Sequence, residues 1–421
     1  MVPIAYAALW VFIFCLPWEN SVMISGLGAI SKLMGILAMG IALLAVVVRG
    51  RFRRWRPFHV AALLFVAWSG CNLFFFHGTQ NIPHKYDTYV QLVLVLWMMW
   101  ELAPSRKAVL GLCSAYVLGS GVAAVSTILV ARSEAGILHR FAAQGFDPNE
   151  LAMTLALALP MAWYLGMTSP RPLMRWVYRG YLPVALLAIA LTGSRGGLVA
   201  SMVGLTIVPL TMTRLTPGRL AVAIALLAFS GGIAVAYAPQ TVINRLATTR
   251  SEVQGGTLNG RLGIWKAGLT ALLARPVTGH GVGGFQEAVQ PILGEARVAH
   301  NSYISVLVEE GLVGFVLFMA MLFTVFRSIL DLPTMDRRFA LALYCTMGIT
   351  MLPLSWESQK AVWFVLAALE GLARAQGPID PGAAWRQRFR RVAVAPAAPR
   401  TARAREPLAG PVRRAGADGA A

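Results

Sequence analysis

The chain has 421 residues, 57% of them apolar and only 13% charged, with a mean hydropathy of +0.63 and a formal net charge of +19. Soluble globular proteins are roughly 45–50% apolar and about 25% charged, so a water-soluble multidomain enzyme is excluded. In so apolar a chain the excess Lys and Arg marks cytoplasmic loops of a membrane protein, and no nucleic-acid partner is expected.

A membrane-crossing helix needs about 20 apolar residues. Candidate spans lie near 4–18, 27–48, 58–76, 87–103, 108–131, 149–168, 180–193, 197–213, 219–239, 300–327, 338–355 and 358–374. The first run has no basic segment before it and no small-residue cleavage site after it, so it is expected to stay as a span. The seventh and eighth runs are short and are separated by TGSRGG (192–197). Arg171, Arg175 and Arg179 precede this pair and Arg214 and Arg219 follow it, which makes it a hairpin. Cys15, Cys71, Cys113 and Cys345 sit in or beside apolar runs with no CxxC spacing, and are expected as small core residues. The expected fold is an all-α polytopic membrane protein. It has about twelve transmembrane helices and one large outer loop, 240–299, carrying amphipathic helices. Residues 1–374 form the transmembrane domain. The tail 375–421, rich in Ala, Pro and Arg, is expected to be a disordered basic cytoplasmic segment.

Placing both termini inside puts most of the 37 Lys and Arg on the cytoplasmic side, as the positive-inside rule requires. The outer face then carries HGTQNIPHKYD (77–87), ARSEAGILHRFAAQGFDPNE (131–150), TGSRGG and the 240–299 loop running into HNSY (300–303). A transporter would be expected to scatter charges at mid-membrane. Polar groups gathered on one face point instead to a site open to the outside.

Arg195 stands in the turn between two short spans, where an arginine is costly unless it has a function. Gly193, Gly196 and Gly197 beside it are expected to let a ligand approach the main chain. Guanidinium and free amides suit a phosphate; the plain alternative is an arginine reaching for lipid headgroups. NGRLGIWKAGLTALLA (259–274) has helical apolar spacing. Asn259 as N-cap places Arg261 in the first turn, where a bound anion would offset the unfavourable helix dipole. The plain alternative there is a surface arginine on a helix lying along the membrane interface. His300, at the outer mouth of a long span, has the ionisation range of a general base; a hydrogen-bonded cap is its ordinary alternative. Lys85, Arg140, Arg297, Asn301 and Tyr303 are candidate further contacts to donor or acceptor. Asp147 and Asn149 are expected to cap the helix that follows them. GHGVGG (279–284) has no strand before it and is expected to be a flexible turn, not a nucleotide fingerprint. There is no DxD, HExxH or His/Cys cluster. No metal or cofactor is expected, and arginines would neutralise a diphosphate.

His300-Asn301, nine residues, then Gly311-Leu312-Val313-Gly314 resembles the H-[NSQ]-x9-G-x-x-G signature of bacterial O-antigen ligases. TGSRGG around Arg195, the pair Arg261 and Trp265, and FDPNELA (146–152) resemble the wider O-antigen ligase and polymerase superfamily. The resemblance spans roughly 1–374. It implies a glycosyltransferase of the bacterial inner membrane with its site facing the periplasm. Such an enzyme moves a glycan from undecaprenyl diphosphate to the lipid A–core oligosaccharide, without metal and with inversion. Arg195 and Arg261 would hold the diphosphate and His300 would deprotonate the acceptor. The implied partners are the lipid-linked glycan, the lipid A–core acceptor and membrane lipids. A polymerase with the same donor, and a polyisoprenoid-glycan transporter, are the alternatives.

Overall fold

The structure, a computed structural model, describes residues 2–26, 28–75, 81–133, 140–212, 260–375 and 410. The ninth candidate span, the loop up to 259 and nearly all of the tail lie outside the described residues. The chain divides into two units, Met1–Gln376 and Gly377–Ala421, and all the described helices belong to the first.

Helix α1 (Val2–Cys15) runs into a 3-10 helix (Leu16–Ser21) and a short antiparallel pair, β1 (Met23–Ile24) and β2 (Gly28–Ala29). Then come α2 (Ile30–Arg49), α3 (Pro57–Phe75), α4 (Asn81–Leu102), α5 (Arg106–Ser133), α6 (Pro148–Thr168), α7 (Pro172–Leu191), α8 (Arg195–Leu205) and α9 (Ile207–Thr211). After the undescribed stretch come α10 (Arg261–Ala274), α11 (Phe285–Leu293), α12 (Ser302–Leu330), α13 (Thr334–Thr350) and α14 (Lys360–Ala375). Among the described residues this is an all-α membrane protein apart from the two-residue strands. Helices occupy the candidate spans there, but five are long and apolar enough to cross a membrane: Val2–Ser21, α2, α5, α6 and α12.

Helix α6 is the centre of the bundle. Every side chain from Leu151 to Ala162 is buried, as befits a helix apolar on all sides. It packs against α5, α7, α8 and α13. Small residues bring the backbones close. A Cβ on Gly204 of α8 would lie 3.2 Å from Pro160 Cδ of α6 and 3.3 Å from Thr346 Oγ1 of α13. Helix α12 packs on α3 and α14, and α1 on α2 and α5.

Polar contacts sort the connections into two ends. At one end Arg49 pairs with Glu101, Arg106 with Asp336 at 2.9 Å, and Arg374 with Glu370 at 3.0 Å. At the other, Ser21 donates to Gln144 O at 3.1 Å, Lys360 pairs with Glu19 at 2.6 Å, and Ser302 N donates to Met351 O at 2.9 Å. The cysteines depart in part from expectation. Cys15 and Cys113 are buried, but Cys71 and Cys345 are exposed, because they fall on outward faces of α3 and α13.

Candidate functional site

The start of α12 anchors the site. Asn301 caps that helix, its side-chain oxygen accepting from the main-chain N–H of Tyr303 at 3.0 Å and of Ile304 at 3.1 Å. Ser302 anchors the same turn: its Oγ donates to Leu354 O at 2.9 Å and accepts from Trp356 N at 2.7 Å. On the other side, the carbonyl of Ala299 accepts the indole N–H of Trp265 at 2.8 Å. His300 is held between these fixed neighbours with φ at 48°; among the described residues no other non-glycine has a positive φ. Such a conformation costs on the order of 1–3 kcal/mol and clusters at functional sites.

Trp265 belongs to α10, one turn after Arg261 and on the same face. The helix begins at Arg261 with Gly260 in the N-cap position at φ 78°; Asn259 lies outside the described residues. Its buried positions are Ala267, Gly268 and Ala271, with Ile264 and Leu272 packed beside them against Phe285, Val289 and Val308. Leu262, Leu269 and Leu273 point outward, Leu273 being 79% exposed. Helix α10 is therefore apolar on two faces instead of carrying the single stripe expected. The more clearly amphipathic helix is α11, which buries Phe285 and Val289.

His300 is half-buried. Burial, then the nearby Arg261 charge, pushes its imidazole below the ordinary histidine range; Arg297 adds to this and Asp147 opposes it. The fold thus brings Arg261, Arg297 and Asp147 into electrostatic reach of one imidazole. Asp147 caps α6 as expected, accepting from Asn149 N at 2.8 Å and Glu150 N at 3.3 Å. Its second role beside His300 had no signal in the sequence.

Arg195 is the first residue of α8, after Ser194, whose Oγ accepts from Gly197 N at 3.2 Å. Gly193 makes the turn with φ at 62°. Gly196 and Gly197 serve packing: a Cβ there would collide with Met153 and Ala152 of α6 respectively, and at Gly196 it would also meet Pro353. This corrects the expectation that all three glycines open the main chain to a ligand. Arg140 bridges the same turn to α6, its Nε donating to Thr192 O at 2.8 Å and its Nη2 to Asn149 Oδ1 at 2.8 Å. The Arg195 turn and His300 therefore share two neighbours, the start of α6 and the 351–356 segment.

The other candidates are otherwise engaged. Lys85 pairs with Glu309 at 2.7 Å and Glu357 at 2.6 Å, both acids being almost fully buried. Ser305 donates to both, and Gly283 N donates to Glu309 at 2.8 Å. Tyr303 gives its hydroxyl proton to Gly348 O at 3.2 Å. Arg297 pairs with Glu295 at 2.7 Å, with both side chains more than half exposed.

GHGVGG is no loose turn. His280 N donates to Val308 O at 3.0 Å, Gly281 N to Glu309 O at 2.8 Å, and Leu312 N to Pro276 O at 2.9 Å. This clasp closes on a break in α12 at Gly311, φ 65°. Gly279 and Gly311 meet backbone to backbone, where any Cβ would collide. Among the described residues, no group of three or more His, Cys, Asp and Glu is placed to hold a metal ion.

A comparison with curated proteins finds no match. Residues 181–319, which hold Arg195, Arg261, His300 and the Gly311 break, match the family model described as O-antigen ligase, and in this segment the chain is similar to that superfamily.

Proposed function

We propose that the protein is an O-antigen ligase of the bacterial inner membrane, with both termini cytoplasmic and its site facing the periplasm. It transfers a glycan from undecaprenyl diphosphate to a hydroxyl of the lipid A–core oligosaccharide. The observation that carries the reading is His300: a half-buried histidine on a left-handed backbone, its imidazole pushed below the ordinary histidine range by burial and the Arg261 charge. Neutral imidazole is the form that accepts a proton.

In the proposed step the acceptor hydroxyl gives its proton to His300 while its oxygen bonds to the anomeric carbon. The bond from that carbon to the phosphate oxygen breaks, and undecaprenyl diphosphate leaves with the electron pair. Attack opposite the leaving group inverts the anomeric centre. Arg195 and Arg261 hold the departing negative charge with guanidinium forks, so no metal is required.

The test is reconstitution of the full chain with lipid-linked glycan and purified lipid A–core. Glycan appearing on lipid A–core supports ligation. Glycan lengthening on the carrier alone, with lipid A–core left bare, would replace ligation by polymerisation.

A further inference from the structure

The connection from α2 to α3 begins GRFRRWR (50–56), directly after Arg49, and holds no acidic residue. The fold divides its arginines into two sets. Arg49 and Arg53 turn inward. Arg49 pairs with the buried Glu101, and Arg53 gives its main-chain N–H to Glu101 Oε1 at 2.7 Å while its guanidinium lies 3.8 Å from the centre of the Trp100 ring. Arg51, Arg54 and Arg56 are exposed, and among the described residues no hydrogen bond or ion pair engages their side chains. We propose that these three arginines, with Phe52 and Trp55, form a binding site for the headgroup phosphate of an anionic glycerophospholipid.

Three observations carry the proposal. The first is that the loop is pinned. Gly50 turns the chain with φ at 64°, Arg49 Nη2 donates to Arg51 O at 2.9 Å, and Arg56 N donates to His59 Nδ1 at 3.3 Å. A fixed backbone therefore presents the outward side chains. The second is charge. Glu101 is already taken by Arg49 and Arg53, which leaves three guanidinium forks whose shape matches phosphate oxygens. The third is the pair of rings between them: Phe52 is 71% exposed and Trp55 43%. A segment that only sets orientation needs basic charge and no aromatics, whereas tryptophan is enriched at the headgroup level of a bilayer.

Its position fits a lipid. Helix α2 is long and apolar enough to cross a membrane, and Arg49 is its last residue, so the loop sits where a span meets the headgroups. Basic clusters at such places attract anionic lipid. Val47 and Val48 of α2 and Val60 and Leu64 of α3 are all exposed and continue the patch as apolar surface for acyl chains. In the proposed topology this is the cytoplasmic end, opposite the proposed transfer site, so the lipid is a ligand of the fold and takes no part in the reaction.

The experiment titrates the full chain in detergent micelles with phosphatidylglycerol or with phosphatidylcholine of the same acyl chains, and reads bound lipid by native mass spectrometry. The parent should take phosphatidylglycerol in preference. Each arginine near an anionic headgroup contributes about fivefold in affinity, so Arg51→Gln/Arg54→Gln/Arg56→Gln should weaken phosphatidylglycerol binding about a hundredfold. Phe52→Ala/Trp55→Ala keeps every charge, and with it the orientation signal, and should weaken binding roughly tenfold through lost apolar contact. Lys107→Gln/Arg171→Gln/Arg327→Gln removes the same charge from other exposed positions and should bind as the parent does. Equal binding of phosphatidylcholine by the parent, phosphatidylglycerol binding unchanged in either patch variant, or an equal loss in the control variant would overturn the site. Displacement of the lipid by millimolar inorganic phosphate would overturn it as well, by showing a site for free anions.

Discussion

Trp265 donates its indole N–H to the carbonyl of Ala299 at 2.8 Å, and the next residue is His300. One hydrogen bond thus ties the helix that begins at Arg261 to the residue preceding the proposed base. Replacing Trp265 by Phe keeps most of the ring's packing and removes the donor, a change worth about 1 kcal/mol in stability. The effect on kcat should be larger, about ten- to a hundredfold, because small misplacements of a reacting group are costly. Turnover and thermal unfolding measured on the same preparation check this. An unchanged kcat would show that the tie does not position His300.

His300→Ala should lower transfer by about 10²–10⁴-fold, the usual contribution of a general base, with donor binding retained. His300→Gly should lose activity equally, yet unfold at the same or a higher temperature, because glycine adopts φ 48° without strain. Thermal unfolding of the purified variants separates the two effects. A markedly less stable glycine variant would argue that the left-handed backbone is not strained by the histidine.

Protonated His300 cannot accept the acceptor's proton, so transfer should rise with pH through its pKa. Burial and Arg261 depress that pKa, which sets the midpoint of the ascending limb below the ordinary histidine value of about 6.5. Asp147 holds it up; Asp147→Asn should therefore move the limb to lower pH. Arg261→Ala should move the limb of its residual activity to higher pH. A pH–rate profile for each protein is the measurement, and shifts of opposite sign would remove His300 as the titrating base.

Arg195→Ala and Arg261→Ala should each cost on the order of 3–4 kcal/mol of transition-state stabilisation, about 10²–10³ in rate. Lysine at either position should restore little, since an ammonium cannot reproduce the guanidinium fork. Transfer by the parent enzyme should persist in EDTA. Initial rates at matched protein levels test all three statements, and activity lost to chelator and returned by Mg²⁺ would mean that the diphosphate is neutralised by a cation.

Lys85 is expected to act on stability. Lys85→Met leaves Glu309 and Glu357 buried without their shared cation; breaking a buried pair in this way costs about 3–5 kcal/mol. Adding Glu309→Gln should recover part of that loss. Unfolding curves of the single and double variants decide it. A Lys85→Met protein of normal stability that no longer binds the donor would return Lys85 to the substrate site.

Among the described residues, helix class and approximate helix positions were legible in the sequence because burial in a bilayer is a local requirement: each span must carry its own run of apolar residues and satisfy its own backbone. The arginine at the TGSRGG turn stood out as a charge where charge is costly, and the histidine before α12 by its place at a span's outer mouth and its ionisation range. Asp147 read as a cap and proved to be one, since capping is set within a few residues. What tertiary structure decided was every relationship across the chain. Asp147 comes within electrostatic range of His300, Gly196 and Gly197 fit against α6, and Lys85 finds Glu309 and Glu357 more than two hundred residues away. The glycines of GHGVGG show why. Alone they signal a turn, and only the break at Gly311 in a helix distant in sequence turns them into a clasp. A side chain's partner depends on which helices pack together, and that is set by the shape of whole surfaces, which no short window of sequence contains.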